Sequence, residues 1–381
     1  MRKEKLHSWI LGLMSLMGFM GLMGCSNEDG SQESEPVTME LMSYVTGFEE
    51  VSRANNPATR AWTPPSDYSL YGGSELPISV FFTQADAGSY EEEFFYKSIG
   101  KWRMSKTNLT SGNYYLYGYV PHEASIISTV SVLGEDKTFA DGAVLTLRNV
   151  PTVSSEDICV VIGAKNGKDD YKADPADYSV TGLQRGDFEY VATEGENNNY
   201  VYLLFDHLFS ALRVKMRVEG TYNNLRTIKL KELRMQTSTG GVPTKKKTQI
   251  TVTLNKNTEG DDPVSSVVFA PDASSGNSDG AVVEWNNGIE LTNEYQPFQG
   301  HLMPFGVTDI TLVSRYDVYD KQGNKVRENC EAKNTINIAD LFSGQTETLR
   351  GRRYTINMTI NPTYLYVLSE PDLNNPTAEV D

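Results

Sequence analysis

With 381 residues, 39% of them hydrophobic and 22% charged, the chain can bury a sizeable core, which excludes wholesale disorder. A formal net charge of -16 repels phosphate backbones and sets nucleic acid aside as a partner. There are only 3 cysteines, with no C-x-x-C spacing, so no metal or cofactor is assigned from sequence.

Residues 1–24 read as a lipoprotein signal peptide. Arg2, Lys3 and Lys5 supply a positive start. About 15 apolar or small residues follow, short of the roughly 20 that a membrane helix needs. They end in Leu22-Met23-Gly24-Cys25, a lipobox in which the Cys25 thiol accepts the lipid and cleavage leaves it as the first residue. The stretch behind it, residues 26–36, is polar and acidic, a tether with no means of packing.

Residues 38–48 carry a weak strand pattern, with Met39, Leu41, Ser43 and Val45 on one face. A run of turn formers then holds two Arg-Ala bonds, Arg53-Ala54 and Arg60-Ala61. Such a loop is exposed and open to proteolysis.

Further strands are expected at 76–82, 113–120, 144–150 and 157–164, separated by turns rich in Gly, Asn, Asp and Pro. In the second of these, Tyr115, Tyr117 and Tyr119 share one face. A tyrosine row can stack on sugar rings, although alternating aromatics are common on packed sheet faces. Cys159 sits in an apolar run and reads as a buried thiol; a Cys159–Cys330 disulfide is left open.

Near the middle, Val201, Leu203 and Phe205 alternate with their neighbours, and so do Leu212, Val214, Met216 and Val218 against Arg213, Lys215 and Arg217. The break between the two runs predicts a bent strand or a corner, with His207 packed in it. Strands follow at 227–233, 249–254, 264–269, 281–285, 309–319 and 352–360. A turn at 321–324 closes a hairpin, and 338–342 makes one helical turn. Many short strands without a convincing long helix indicate an all-β sandwich class. The last strand runs into Asn361-Pro362-Thr363-Tyr364-Leu365-Tyr366-Val367-Leu368-Ser369 and an acidic Pro371-Asp372-Leu373 tail.

Four features together resemble the fimbrillin-like lipoproteins of Bacteroidetes, the type V pilus subunit family. They are the lipobox, Thr59-Arg60-Ala61, the central Phe205, His207, Ala211, Leu212, Val214 and Val218, and the closing tyrosine-rich stretch. The resemblance implies two tandem Greek-key, transthyretin-like β-sandwich domains at 61–198 and 199–381, behind a lipidated tether and propeptide at 25–60 that includes a first strand. It implies an outer-membrane lipoprotein, surface-exposed and lipidated at Cys25. An arginine-specific maturation protease would cut after Arg60, or alternatively Arg53. A neighbouring subunit would then fill the vacated groove by strand exchange. In this chain Thr363, Tyr364, Leu365, Tyr366, Val367 and Leu368 are the donor-strand candidate. The implied partners are other pilus subunits, the protease, and the membrane through the lipid before processing.

No catalytic motif appears. His122, His207 and His301 are isolated in sequence, and neither H-E-x-x-H nor G-x-S-x-G is present. Asp169-Asp170 and Asp261-Asp262 lack the EF-hand pattern and read as solvated turns. The expectation is a non-enzymatic pilus subunit, stem or tip, that serves adhesion. The alternative is a monomeric surface lipoprotein that binds glycans through the tyrosine row.

Overall fold

Alternation with a period of two dominates the chain, and the computed structural model turns nearly all of it into strands. It describes residues 39–45, 47–51, 66–67, 77–85, 90–98, 101–104, 109–153, 157–166, 188–192, 199–255, 264–298, 300–342, 344–361 and 377–380, all within one unit, Pro36–Asp381. The first strands are β1 (Met39–Val45), β2 (Glu49–Val51), β3 (Ser66–Asp67), β4 (Ile78–Thr83), β5 (Tyr90–Ser98) and β6 (Lys101–Met104). Next come β7 (Gly112–Val120), β8 (Ile127–Ser131), β9 (Gly142–Pro151), β10 (Cys159–Asn166), β11 (Phe188–Tyr190), β12 (Tyr200–His207) and β13 (Ser210–Val218). Helix α1 (Gly220–Leu225) leads to β14 (Thr227–Thr239), β15 (Val242–Pro243), β16 (Lys247–Asn255), β17 (Val264–Pro271) and β18 (Ala281–Leu291). Then follow β19 (Gln296–Pro297), β20 (His301–Met303), β21 (Asp309–Tyr319), β22 (Lys325–Asn337), α2 (Ile338–Leu341), β23 (Arg352–Ile360) and β24 (Thr377–Val380).

The first sheet closes on itself. Its order is β10-β12-β1-β6-β5-β4-β7, and β7 pairs back to β10 through Val120↔Cys159 and Tyr119↔Val160. The ring is filled by Met39, Val80, Phe82, Phe95, Leu116, Val161, Leu203 and Phe205, among others. Its outer side, with Phe81, Tyr117, Val160, Ile162 and Leu204, packs on a four-stranded sheet ordered β17-β16-β9-β8. Gly118 permits the close pairing of β7 with β4, because a Cβ there would lie 2.4 Å from the Ser79 carbonyl oxygen.

β3 and β11 add to the first sheet, beside β1 and β7, and the other strands form two sheets that face each other across one core. β13, β19, β20, β23, β2 and β24 make one, and β14, β15, β18, β21 and β22 make the other. Leu212, Val214, Met216 and Val218 of β13 point into this core with Ile356 and Met358, opposite Ile228, Leu230, Ile310 and Leu312. Arg213, Lys215 and Arg217 lie on the wetter face, as the alternation predicts. β12 belongs to the ring, and β16 pairs along β9 from Lys247↔Pro151 to Asn255↔Gly142.

The corner expected in the central stretch falls at Leu208-Phe209, between β12 and β13. Its backbone is satisfied from both sides: Leu208 N–H donates to the Ile158 carbonyl, and Gly351 N–H to that of Phe209. The Ser210 hydroxyl donates to the Leu349 carbonyl, and Arg350 pairs with the buried Asp206 carboxylate. The hairpin at 321–324 is present, with the Asp320 carboxylate accepting from the Gln322 and Asn324 N–H groups and Gly323 at φ 87°. The helical turn near 338 is α2, capped by Asn337.

Among the strands not expected from sequence, β5 is instructive. Its Glu91-Glu92-Glu93 run hides the alternation, yet it pairs along all of β4. The Ser79 and Ser128 hydroxyls donate to Glu92, at 2.5 and 3.1 Å. Helix α1 was also not expected; the Glu219 side chain caps it by accepting from Tyr222 N–H.

Asp317 anchors the β21–β22 hairpin. Burial alone would raise its pKa, but bonds from Lys231, from the Asn329 N–H and from Lys325 hold it below the ordinary carboxylate value. A lowered folded-state pKa means stability that is present above the unfolded value and lost as the pH falls through the folded one. Asp317→Asn is expected to cost about 1–3 kcal/mol at neutral pH. In thermal melts across pH, its deficit should shrink as the pH falls below about 4, where the wild type loses the same charge.

Candidate functional site

β1 is the weak N-terminal strand of the sequence, and it closes the ring. It runs parallel to β12, from Glu40↔Tyr200 to Val45↔Phe205. On its other side it is antiparallel to β6, from Met39↔Met104 to Leu41↔Trp102, and it pairs briefly with β3. Met39, Leu41, Ser43 and Val45 are the buried positions, at 0%, 3%, 6% and 5% exposure. The period read from sequence therefore puts the expected face into the ring. Glu40 faces outward and pairs with Arg103 at 3.0 Å.

The same segment crosses to the other core. β2 lies parallel to the start of β23, Glu49↔Arg352 to Val51↔Tyr354, and Val51 is buried there. Glu49 pairs with the buried Arg352 at 3.5 Å and Glu50 with Arg353 at 2.7 Å. Between the two strands, Phe48 stacks on the His207 ring with centroids 3.8 Å apart. Farther along the same side of β23, β24 pairs antiparallel, from Ile356↔Val380 to Thr359↔Thr377. β23 thus has β13 on one side, and β2 and β24 in succession on the other.

Arg53 and Arg60 lie between Val51 and Ser66, outside the described residues. Cys25 and the donor-strand candidate Thr363 to Leu368 also lie outside them, as do Asp169-Asp170 and Asp261-Asp262. The structure therefore describes the strand that precedes the two arginines and the groove it fills.

The tyrosine row is not a sugar platform. Tyr117 and Tyr119 are buried at 1% and 0% exposure between the ring and the four-stranded sheet, with the half-buried Tyr115 packed beside them. Tyr117 donates to the Phe139 carbonyl. Burial pushes the Tyr119 hydroxyl up to about 12. The opposite face of β7, with Tyr114, Leu116 and Val120, fills the ring. Both faces of the strand are dry, so the feature that motivated glycan binding is spent on packing. Cys159 and Cys330 are not joined in a disulfide: the first is buried in the ring and the second packs against the other core.

Sequence reasoning left one cluster unseen: Asp157, Cys159 and His207 converge in the ring wall, with their ligand atoms within 4.8 Å of one another. The signal available was Asp157-Ile158-Cys159, which puts a carboxylate and a thiol on one face of an extended segment. No spacing rule links that pair to His207, about fifty residues away.

No family model matches the chain, and no curated protein matches it. Solved structures that resemble it include Bacteroides proteins described as fimbrial, cell adhesion or polysaccharide-binding. A fimbrial protein from Bacteroides vulgatus is 14% identical, over 80% of this chain and 91% of that one, with a TM-score of 0.37. A candidate cell adhesion protein from Bacteroides fragilis is 12% identical, over 90% and 97%, with a TM-score of 0.39. Another from Bacteroides uniformis is 10% identical, over 93% and 99%, with a TM-score of 0.34. At these scores the likeness carries no argument by itself.

The register of β1 has a direct consequence. Leu41→Ala removes a buried side chain from the ring and is expected to cost about 2–5 kcal/mol in denaturant unfolding. Glu40→Ala loses a partly exposed ion pair and should stay within about 1 kcal/mol. Equal losses at the two positions would mean that β1 does not face the ring as described.

Proposed function

We propose that this chain is a structural subunit of a cell-surface pilus that serves adhesion, assembled by proteolysis-triggered strand exchange. The observation that supports this most is β1. A single N-terminal strand is inserted between β12 and β6, with its inner face buried, and the two Arg-Ala bonds follow it in the chain. Cleavage after Arg60 would release β1 and β2 together, since both precede the cut. Burying Met39, Leu41 and Val45 is worth about 1.5–3 kcal/mol each, so their loss together approaches the whole stability of an ordinary domain. The unpaired edges of β12 and β6 add to that liability. A processed subunit is therefore driven to take another strand into the groove, and backbone pairing with alternate side chains suits any extended apolar segment.

In this reading Cys25 carries the lipid that brings the chain to the outer surface, and Thr363 to Leu368 supply the strand offered to the next subunit. Tyr364, Tyr366 and Leu368 would take three successive inward positions of the four now held by Met39, Leu41, Ser43 and Val45. The role is architectural.

Mass spectrometry of the N-terminus of the surface-exposed protein tests the reading. A chain that begins at Ala61 is expected; one that still begins at lipidated Cys25 on assembled fibres would sink it. A synthetic peptide spanning 361–371 should bind the processed protein and leave the unprocessed one untouched. Substituting Tyr366 by Asp in the peptide should weaken binding at least tenfold, about 1.4 kcal/mol, because it sets a charge in the apolar groove.

A further inference from the structure

Asp157 and Cys159 are two residues apart in extended chain, so their side chains share a face. The antiparallel register of β10 and β12 sets Cys159 directly opposite His207. Three groups of different chemistry therefore meet in the ring wall, with Asp157 and Cys159 at 0% exposure and His207 at 3%. The sulfur lies 3.5 Å from His207 Nδ1, and the same nitrogen is in hydrogen-bond contact with Asp157 Oδ2. The other carboxylate oxygen, Oδ1, is buried with no hydrogen-bond partner.

We propose that Asp157, Cys159 and His207 form a binding site for one divalent transition-metal ion, zinc being the best fit. The arrangement is not that of a catalytic triad. A triad relays a proton across the ring, with the nucleophile at one nitrogen and the acid at the other; here sulfur and carboxylate both address Nδ1. One ring nitrogen carries at most one proton and cannot serve two partners well. An ion would replace these shared contacts and take up the unpartnered Asp157 Oδ1. With Zn–N near 2.0–2.1 Å and Zn–S near 2.3 Å, tetrahedral angles separate nitrogen and sulfur by about 3.5 Å, which is the spacing found, while the closer Nδ1–Oδ2 contact opens by a swing of the Asp157 carboxylate as the ion enters.

The charges also close. On binding, the Cys159 thiol releases its proton to solvent, and the proton that Nδ1 donates to Asp157 leaves that nitrogen, so that the ring carries a single proton on Nε2. One thiolate, one carboxylate and one neutral imidazole then meet a doubly charged cation, for a net charge of zero in a buried place where net charge is costly. Thiolate with imidazole selects zinc over calcium or magnesium. Phe48, stacked on the imidazole, walls the site from one side. Three protein ligands leave the fourth position to water.

The competing description is a plain carboxylate–imidazolium pair beside an inert thiol. Titration of the purified, metal-stripped full chain with Co²⁺, then Zn²⁺, separates the two. The site predicts about one equivalent bound, a thiolate-to-cobalt absorption band that zinc abolishes, and a higher Tm with zinc. Cys159→Ser and His207→Gln should each lose the band, Asp157→Asn should weaken binding at least tenfold, and Cys330→Ser should change nothing. Circular dichroism establishes that each variant is folded, and Asp157→Asn, the most conservative in shape, keeps the test open if the others are not. A wild type with neither band nor Tm shift, or a band that survives Cys159→Ser, overturns the proposal.

Discussion

A chain that leaves one sheet to enter another must satisfy every backbone group it takes along, and the passage from β12 to β13 is where this protein meets that constraint. β12 is dry on both faces: Val201, Leu203 and Phe205 fill the ring, while Tyr202 and Leu204 face the four-stranded sheet. Two residues later β13 lines a different core. The turn holds because Ile158 accepts from Leu208, Gly351 donates to Phe209, Ser210 binds the Leu349 carbonyl, and Arg350 neutralises Asp206. Asp206 is buried, so breaking that pair would leave a buried carboxylate without its counter-ion, a far larger penalty than losing a surface bridge. The 349–352 segment and the 206–210 corner therefore stand or fall together, and β23 is positioned by the same contacts.

The N-terminal segment is built into this frame differently. β1 lies in the ring as a lone insert, and β2 lies on β23 through three register pairs and two ion pairs. It depends on the frame, but the strands that flank it are also held by other neighbours, β12 by β10 and β6 by β5. Were β1 removed, the walls of its groove would still be paired elsewhere, while its apolar floor would be left open to water. The metal-type cluster sits at the same junction, on β10 and β12, beneath Phe48.

Parts of this were legible in the sequence and parts were not. The inner face of β1, the alternation of β13, the bounds of β21 and β23, the Asp320 turn and α2 all follow from side-chain period and turn chemistry, which are local. β5 was hidden because its glutamates mask the period, and only the Ser79 and Ser128 hydroxyls account for Glu92. The tyrosine row was read with the right two faces, but whether the Tyr117 face met water or a second sheet lay outside any local pattern.

By itself the sequence determined which residues share a face, because alternate side chains of an extended chain point opposite ways whatever the neighbours are. It determined the strand-rich class. Only the tertiary structure decided which strands pair, because backbone hydrogen bonds are alike at every residue and carry no address. Closure of the ring through β7 and β10, the parallel insertion of β1 beside β12, and the opposition of Cys159 and His207 are all questions of register. They are settled by how three apolar cores fill together.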